Sequence, residues 1–224
     1  MKINADFSAR AIVHGPATEW VASPMPGVHR KLLDRVGGEV ARATSIVRYA
    51  PGSRFSEHTH SGGEEFIVLE GVFQDEHGDY PAGSYVRNPI GTHHVPRSDG
   101  GCTILVKLWQ FADDDRDQFA LDLDSLATGE GDGEVASAIL HRHRGEIVAL
   151  ETWRAGAQRG LGDAGGLELF VLDGEIHVDG ERLDRHDWLR LPPGDSARAE
   201  SGPGGARLWL KRGHLLEIIV PPAN

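Results

Sequence analysis

The chain has 224 residues, with 34 acidic and 23 basic side chains and a formal net charge of −11. This length is sufficient for one large or two small domains, each with a buried core. The acidic balance and the scattered basic residues argue against nucleic acid or an anionic membrane surface as a partner.

The composition also indicates the compartment. The single cysteine, Cys102, excludes an intramolecular disulfide and a Cys-x-x-Cys zinc motif, and its apolar surroundings predict a small core residue. The sequence contains neither an apolar leader nor the run of ~18 apolar residues that crosses a bilayer. A chain without disulfides suits a reducing environment, so we expect a cytoplasmic protein.

Short β-branched or alternating runs, separated by glycine and proline, predict strands along the whole chain. They include ATSIVRY, EEFIVLEG, SYVRNP and CTILVKLWQF in the first half, and EIVALETW, LELFVLDG, DWLRLP and ARLWLKRG in the second. Turns are predicted at Gly37-Gly38, at 76–79 and at Asp179-Gly180. The best helical candidate, at 119–126, is weak. The pattern predicts an all-β sandwich or barrel.

An internal repeat divides the sequence in two. With a shift of 103 residues, SGGEEFIVLEG (61–71) aligns with AGGLELFVLDG (164–174), and SYVRNPIG (84–91) aligns with DWLRLPPG (187–194). Such self-similarity predicts two copies of one β domain of ~100 residues. We expect an N-terminal domain at 1–112, an acidic linker at 113–138 and a C-terminal domain at 139–224.

The first copy carries a candidate metal site. Alternate side chains of a strand point to one face, so His58, His60 and Glu64 fall on the same side, and His94 follows from a second segment. Three imidazoles and one carboxylate are the ligand types of a transition-metal site. The second copy has Leu161, Asp163, Leu167 and Ala197 at the aligned positions and is predicted to bind no metal.

Two alternatives to these ligands remain open. A bulge at Gly62-Gly63 would shift the strand phase and bring Glu65 in place of Glu64. His93 adjoins His94 and could replace it, although the spacing favours His94. Arg48, Arg87 and Lys107 are candidates to hold an anionic ligand at the mouth of the barrel, although each fits a solvated or paired surface charge better.

The pattern G-x5-H-x-H-x3-E-x6-G, followed by G-x5-P-x-G-x2-H, resembles the two cupin motifs, and residues 58–96 look like the ChrR-type anti-sigma factor cupin. The resemblance implies two tandem cupin domains, each a double-stranded β-helix or jelly roll, and it implies metal ligation by His58, His60, Glu64 and His94. In that family an N-terminal helical domain binds the sigma factor. Here about 25 residues, with no cysteine among them, precede the cupin-like region, so a sigma factor is not an expected partner.

Two classes of function follow. One divalent metal is expected in the first domain, with zinc preferred. Zinc in a closed four-ligand site fits a regulatory or sensor module related to anti-sigma factors, which is the favoured interpretation. The alternative is iron, manganese or nickel in a dioxygenase acting on a small diketone-like molecule and O2, because these metals prefer more ligands than the protein supplies. Catalytic residues are not assigned, and a homodimer is an open alternative.

Overall fold

The computed structural model describes residues 1–126 and 133–222, and these residues form strands, turns and irregular segments without a helix. None of them therefore forms a helix able to cross a membrane. The strands up to Asp122 are β1 (Lys2–Ile3), β2 (Ala11–Val13), β3 (Val21–Ala22), β4 (Val28–Gly37), β5 (Ala41–Tyr49), β6 (Ser53–Arg54), β7 (His58–Thr59), β8 (Glu64–Gln74), β9 (Asp79–Pro81), β10 (Ser84–Asn88), β11 (His93–His94), β12 (Arg97–Ser98), β13 (Cys102–Leu108) and β14 (Phe119–Asp122). The remaining strands are β15 (Val135–His143), β16 (Glu146–Trp153), β17 (Gln158–Gly162), β18 (Leu167–Val178), β19 (Glu181–Asp184), β20 (Trp188–Leu191) and β21 (Ser196–Arg212). The all-β prediction is confirmed.

The described residues divide into two compact units. The first contains Met1–Ala5, Glu19–Asp124 and residues 219–222, and the second contains Asp6–Thr18 and the described part of Ser125–Ile218. The chain thus begins in the first unit, contributes β2 to the second and then returns. The sequence had not indicated this exchange, because a strand of three residues carries almost no pattern of its own.

In the first unit the main sheet has the order β1-β4-β5-β13-β8-β10-β14, and β7 pairs with β11 separately. The inward side chains are apolar at every second position, as Phe66 and Val68 on β8 and Ile104 and Val106 on β13 illustrate. Cys102 belongs to the same core, and burial raises the pKa of its thiol to about 11. The thiol is accordingly a packing group in this structure.

The second unit repeats this arrangement with the order β15-β16-β21-β18-β20-β2. One backbone detail marks the repeat. Gly71 on β8 and Gly174 on β18 have φ values of 72° and 73°, and a Cβ on either would lie 2.2 Å from the carbonyl oxygen of Gly101 or Gly205. Both units therefore need glycine at the same point of the same strand.

The predicted linker at 113–138 differs from the structure. Phe119–Asp122 is β14, which pairs with Ser84–Asn88 and so completes the first unit, and the helical candidate at 119–126 is wrong at this strand. The far end of the predicted linker, from Val135, already belongs to β15. Residues 127–132, in the glycine-rich part of the predicted linker, lie outside the described residues.

Candidate metal centre

Three segments of the first unit bring the four predicted ligands together. His58 and His94 lie opposite each other where β7 pairs with β11. The backbone amide of His60 donates to the carbonyl of Thr92 at 2.8 Å. This bond holds the residue after β7 against the residue before β11. Glu64 is the first residue of β8. Residues that are 36 positions apart in the chain thus face one another through a short antiparallel pair.

The donor atoms converge on one point. One nitrogen from each histidine and one carboxylate oxygen all lie within 4.8 Å of one another. The His60 and His94 Nε2 atoms are 3.2 Å apart, and Glu64 Oε1 lies 3.5 Å from the first and 3.7 Å from the second. Donors that share a metal at roughly 2.1 Å have separations of about 3–3.5 Å, so these distances fit a bound ion.

The outer nitrogen of each histidine has an acceptor. His94 Nδ1 lies 3.2 Å from the Asp75 carboxylate, and His58 Nδ1 lies 3.4 Å from the Ser56 carbonyl. His60 Nδ1 lies 2.9 Å from the Thr92 hydroxyl, whose own hydrogen is donated to the Pro89 carbonyl at 2.7 Å. Each Nδ1 is therefore the donor, and the tautomer follows from these partners.

This hydrogen bonding leaves the inner nitrogens of His60 and His94 with lone pairs directed at each other and at Glu64. Three acceptors in a buried space repel one another unless a cation lies between them. His60, Glu64 and His94 are all buried, whereas His58 is exposed. The donor set therefore fits a divalent transition metal.

The two buried histidines, His60 and His94, differ in the direction of their pKa shifts. Burial lowers the pKa of His60 to about 4, so its ring is neutral near neutral pH. Burial also disfavours the charged form of His94, but the hydrogen bond to Asp75 and the charge of Glu64 raise its pKa above the ordinary value. A metal would replace the proton that these carboxylates attract to His94.

The two alternative ligands lie elsewhere. The Glu65 carboxylate accepts hydrogen bonds from Tyr85 and Arg87, both at 2.8 Å, on the other face of β8. The His93 side chain is exposed, and its nearest acidic group is Glu57 at 3.8 Å. The structure therefore groups Glu64 and His94 with His58 and His60.

A cavity of about 330 Å³ adjoins the cluster. His58, His60 and Glu64 line one part of it, and its walls are largely apolar; they include Val28, Val47, Phe55, Val106, Leu108 and Trp109. Trp109 lies across the glycine turn before β8, where a Cβ on Gly62 would be 2.2 Å from the indole ring. The glycine pair thus makes room for an aromatic wall beside the cluster.

The three cations predicted at the barrel mouth, Arg48, Arg87 and Lys107, do not line this cavity. Arg87 is buried between Glu65 and Asp115, and Lys107 Nζ donates to Thr44 at 2.8 Å. Arg48 stacks on Trp20, with its guanidinium 4.3 Å from the ring centre. The cation that does line the cavity is Arg30.

Sequence reasoning missed Arg30 and the three histidine partners Ser56, Asp75 and Thr92. Period two could have indicated Arg30, since it lies two residues after Val28 on the inward face of β4. The acceptors for the histidines come from separate segments, so no local pattern identifies them.

Strands arranged around a His3Glu cluster, with three of its four members buried, define a cupin domain. Residues 8–112 match the ChrR cupin-like domain. Residues 8–112 therefore carry a cupin domain of the ChrR-like type, as the motif resemblance predicted. No curated protein matches it in sequence.

Three solved structures illustrate how widely the fold is shared. A proposed dioxygenase from Nostoc punctiforme is 16% identical with a TM-score of 0.75, covering 97% of this chain and 87% of its own. The nickel(II) complex of a bacterial pirin from Escherichia coli is 12% identical with a TM-score of 0.66, covering 91% and 98%. Bacillus subtilis oxalate decarboxylase, which has Mn(II) centres, is 14% identical with a TM-score of 0.63, covering 93% and 78%. At these identities the likeness establishes the fold.

Proposed function

We propose that this protein is a metal-dependent oxygenase that acts on a small, partly apolar molecule. The observation that carries the proposal is the cavity of about 330 Å³ beside the cluster, with the exposed ligand His58 on its wall. A structural zinc site is closed by its four ligands and needs no adjoining space. A site that performs chemistry needs room for substrate next to the metal.

The side chains around the cavity would have different roles in this reaction. His58, His60, Glu64 and His94 would hold the ion, and Asp75 and Thr92 would keep the two buried imidazoles in the ligating tautomer. When bound, a redox-active divalent metal would supply Lewis-acid and electron-transfer chemistry. Trp109 and the valines of the cavity wall would exclude water around the substrate.

The test is the metal content and oxygen consumption of the purified full chain. We expect about one equivalent of iron, manganese or nickel, and oxygen uptake when a small, partly apolar probe is added, either pentane-2,4-dione or the monocarboxylate 3-phenylpropanoate. His60→Ala should lose both the metal and the uptake, whereas His93→Ala, on the neighbouring exposed histidine, should retain both. Tightly held zinc, with no uptake after loading with iron, manganese or nickel in turn, would overturn the proposal.

A second function is favoured by a different observation, the match of residues 8–112 to the ChrR cupin-like domain. In this case the site would hold zinc and act as a regulatory or sensor module. The same measurements separate the two proposals, because a sensor would bind zinc stoichiometrically and consume no oxygen with any of the metals.

A further inference from the structure

Arg30 is a cation on the inward face of the first unit. It lies two residues after Val28 on β4 and opposite Val47 on β5, and both valines are core residues. It lines the cavity beside the metal cluster, and its Nε is buried. Within residues 1–126 and 133–222, its guanidinium has neither a hydrogen bond nor an ion pair.

A buried guanidinium donor without a partner opposes folding, because its contact with water is lost and nothing replaces it. Glu39 also lines the cavity, but it is exposed and forms no ion pair with Arg30. Arg30 is half-buried as a whole residue, with its Nε inside. Two fully buried cations of this unit have protein partners instead: Arg87 has Glu65 and Asp115, and Lys107 has Thr44. Arg30 therefore has the properties of a group whose partner enters through the cavity.

A second polar group lies nearby. Tyr49 is opposite Val28 in the β4–β5 pair, which places it diagonally across from Arg30 on the same face. It lines the same cavity, and among the described residues its hydroxyl has no hydrogen-bond partner. A phenol and a guanidinium both offer donors, so this part of the cavity is suited to an acceptor group.

The Glu64 carboxylate does not serve that purpose, because it is directed at His60 and His94, 3.5 Å and 3.7 Å away. The rest of the wall is apolar, as Val47, Phe55 and Leu108 show. The cavity lining thus combines members of the metal cluster, apolar side chains and a pair of donors. Its volume of about 330 Å³ is at the small end for a ligand site.

We propose that Arg30, assisted by the Tyr49 hydroxyl, binds the carboxylate of a small substrate whose apolar body lies toward the metal. A guanidinium pairs with a carboxylate through two parallel hydrogen bonds, which fixes both position and orientation. This inference rests on the proposed function and narrows it to monocarboxylic acids with an apolar body. Arg30 and Tyr49 are then the residues that select the substrate.

Binding of 3-phenylpropanoate, with its neutral amide as the matched probe, tests the assignment by calorimetry on the metal-loaded full chain. The wild type should bind the acid at least about tenfold more tightly than the amide, since a charged hydrogen-bonded pair is lost with the amide. Arg30→Met should remove this preference and leave metal content unchanged. Arg54→Met, at an exposed arginine paired with Asp99, should keep the preference.

Thermal melting separates this role from a structural one. If Arg30 serves a ligand, the ligand-free Arg30→Met protein should melt at or above the wild-type temperature, because an unpaired buried donor has been removed. The inference is overturned if the wild type binds acid and amide equally or binds neither, if Arg30→Met binds the acid as tightly as the wild type, or if it melts lower. Oxygen uptake is measured separately, so acid selection by Arg30 without uptake would refute the oxygenase alone.

Discussion

At the residue scale, the proposed metal site would depend on its hydrogen-bond acceptors as much as on its ligands. Ser56, Asp75 and Thr92 each accept from one imidazole and so turn the other nitrogen toward the shared point. The acceptors are not equivalent. Asp75 is a carboxylate and also anchors the turn at His77, whereas the other two are neutral.

Asp75→Asn therefore should weaken metal binding without removing a ligand. A neutral amide is a poorer acceptor for the His94 N–H, so the ligating nitrogen becomes less electron-rich and its orientation less fixed. We expect a loss of affinity on the order of tenfold, measured by competition with a chelator. Asp79→Asn, at a neighbouring exposed carboxylate, is the control. Equal affinities for both variants would show that Asp75 has no part in the site.

A second prediction separates adjacent histidines. His94→Ala should abolish stoichiometric metal, because it removes a buried donor 3.2 Å from His60. His93→Ala should leave the metal content at one equivalent, since its ring is exposed beside Glu57. Elemental analysis of the purified variants decides. Loss of metal from His93→Ala but not from His94→Ala would mean that His93, and not His94, faces the cluster.

At the scale of the element, strand phase explains which side chains could be predicted. On β8, Glu64 and Phe66 face inward while Glu65 faces Arg87, in agreement with the period-two rule. The same rule places Arg48, between Val47 and Tyr49, on the outer face, as well as Lys107 between Val106 and Leu108. Applied to every strand, the period-two rule would have predicted Arg30 as the cation of the cavity in place of Arg48 and Lys107.

The pairing of β7 with β11 could not be obtained in this way. Each has two residues, too few for a pattern, and their register follows from the surrounding chain. The motif spacing identified the histidines as a set, but the acceptors Asp75 and Thr92 depend on where unrelated turns come to lie. Such long-range placement has no local signature.

Strand geometry also gives a stability prediction. Gly71→Ala should lower the free energy of unfolding by at least about 1–2 kcal/mol from the left-handed backbone alone, and further because the new Cβ would meet the Gly101 carbonyl. Gly100→Ala, at a neighbouring position with no atom within 4 Å of the new Cβ, is the control. Urea denaturation of both variants measures the difference. A change of similar size in both would refute the close-approach explanation.

At the scale of the whole molecule, the repeat predicted two copies of one fold but not where each ends. The second unit retains the strand pattern and fills three of the four aligned ligand positions with buried Leu161, Leu167 and Ala197. An apolar core therefore stabilises the same fold without metal donors at these positions. The boundary was missed because β2 and β14 pair with strands distant in sequence, as Ala11 with Arg190 shows.

The contacts of His14 in the second unit predict that the stability of the fold depends on pH. His14, just after β2, lies 2.8 Å from the buried Asp187 and 3.3 Å from Glu181. The hydrogen bond to Asp187, with a smaller contribution from Glu181, raises the pKa of His14. The protonated ring therefore stabilises the fold. This stabilisation is complete below the ordinary histidine pKa of about 6.5 and is lost as the pH rises through the raised value.

His14→Gln removes this contribution at every pH. The melting temperature of the wild type should exceed that of the variant most clearly near pH 6, and the difference should shrink as the pH approaches about 9. His77→Gln, in an exposed turn, should show no such trend. Comparing differences cancels the titration of the metal cluster, which is common to all three proteins. A difference that stays constant with pH would mean that β2 is held by its pairing with β20 and that the charge of His14 contributes nothing.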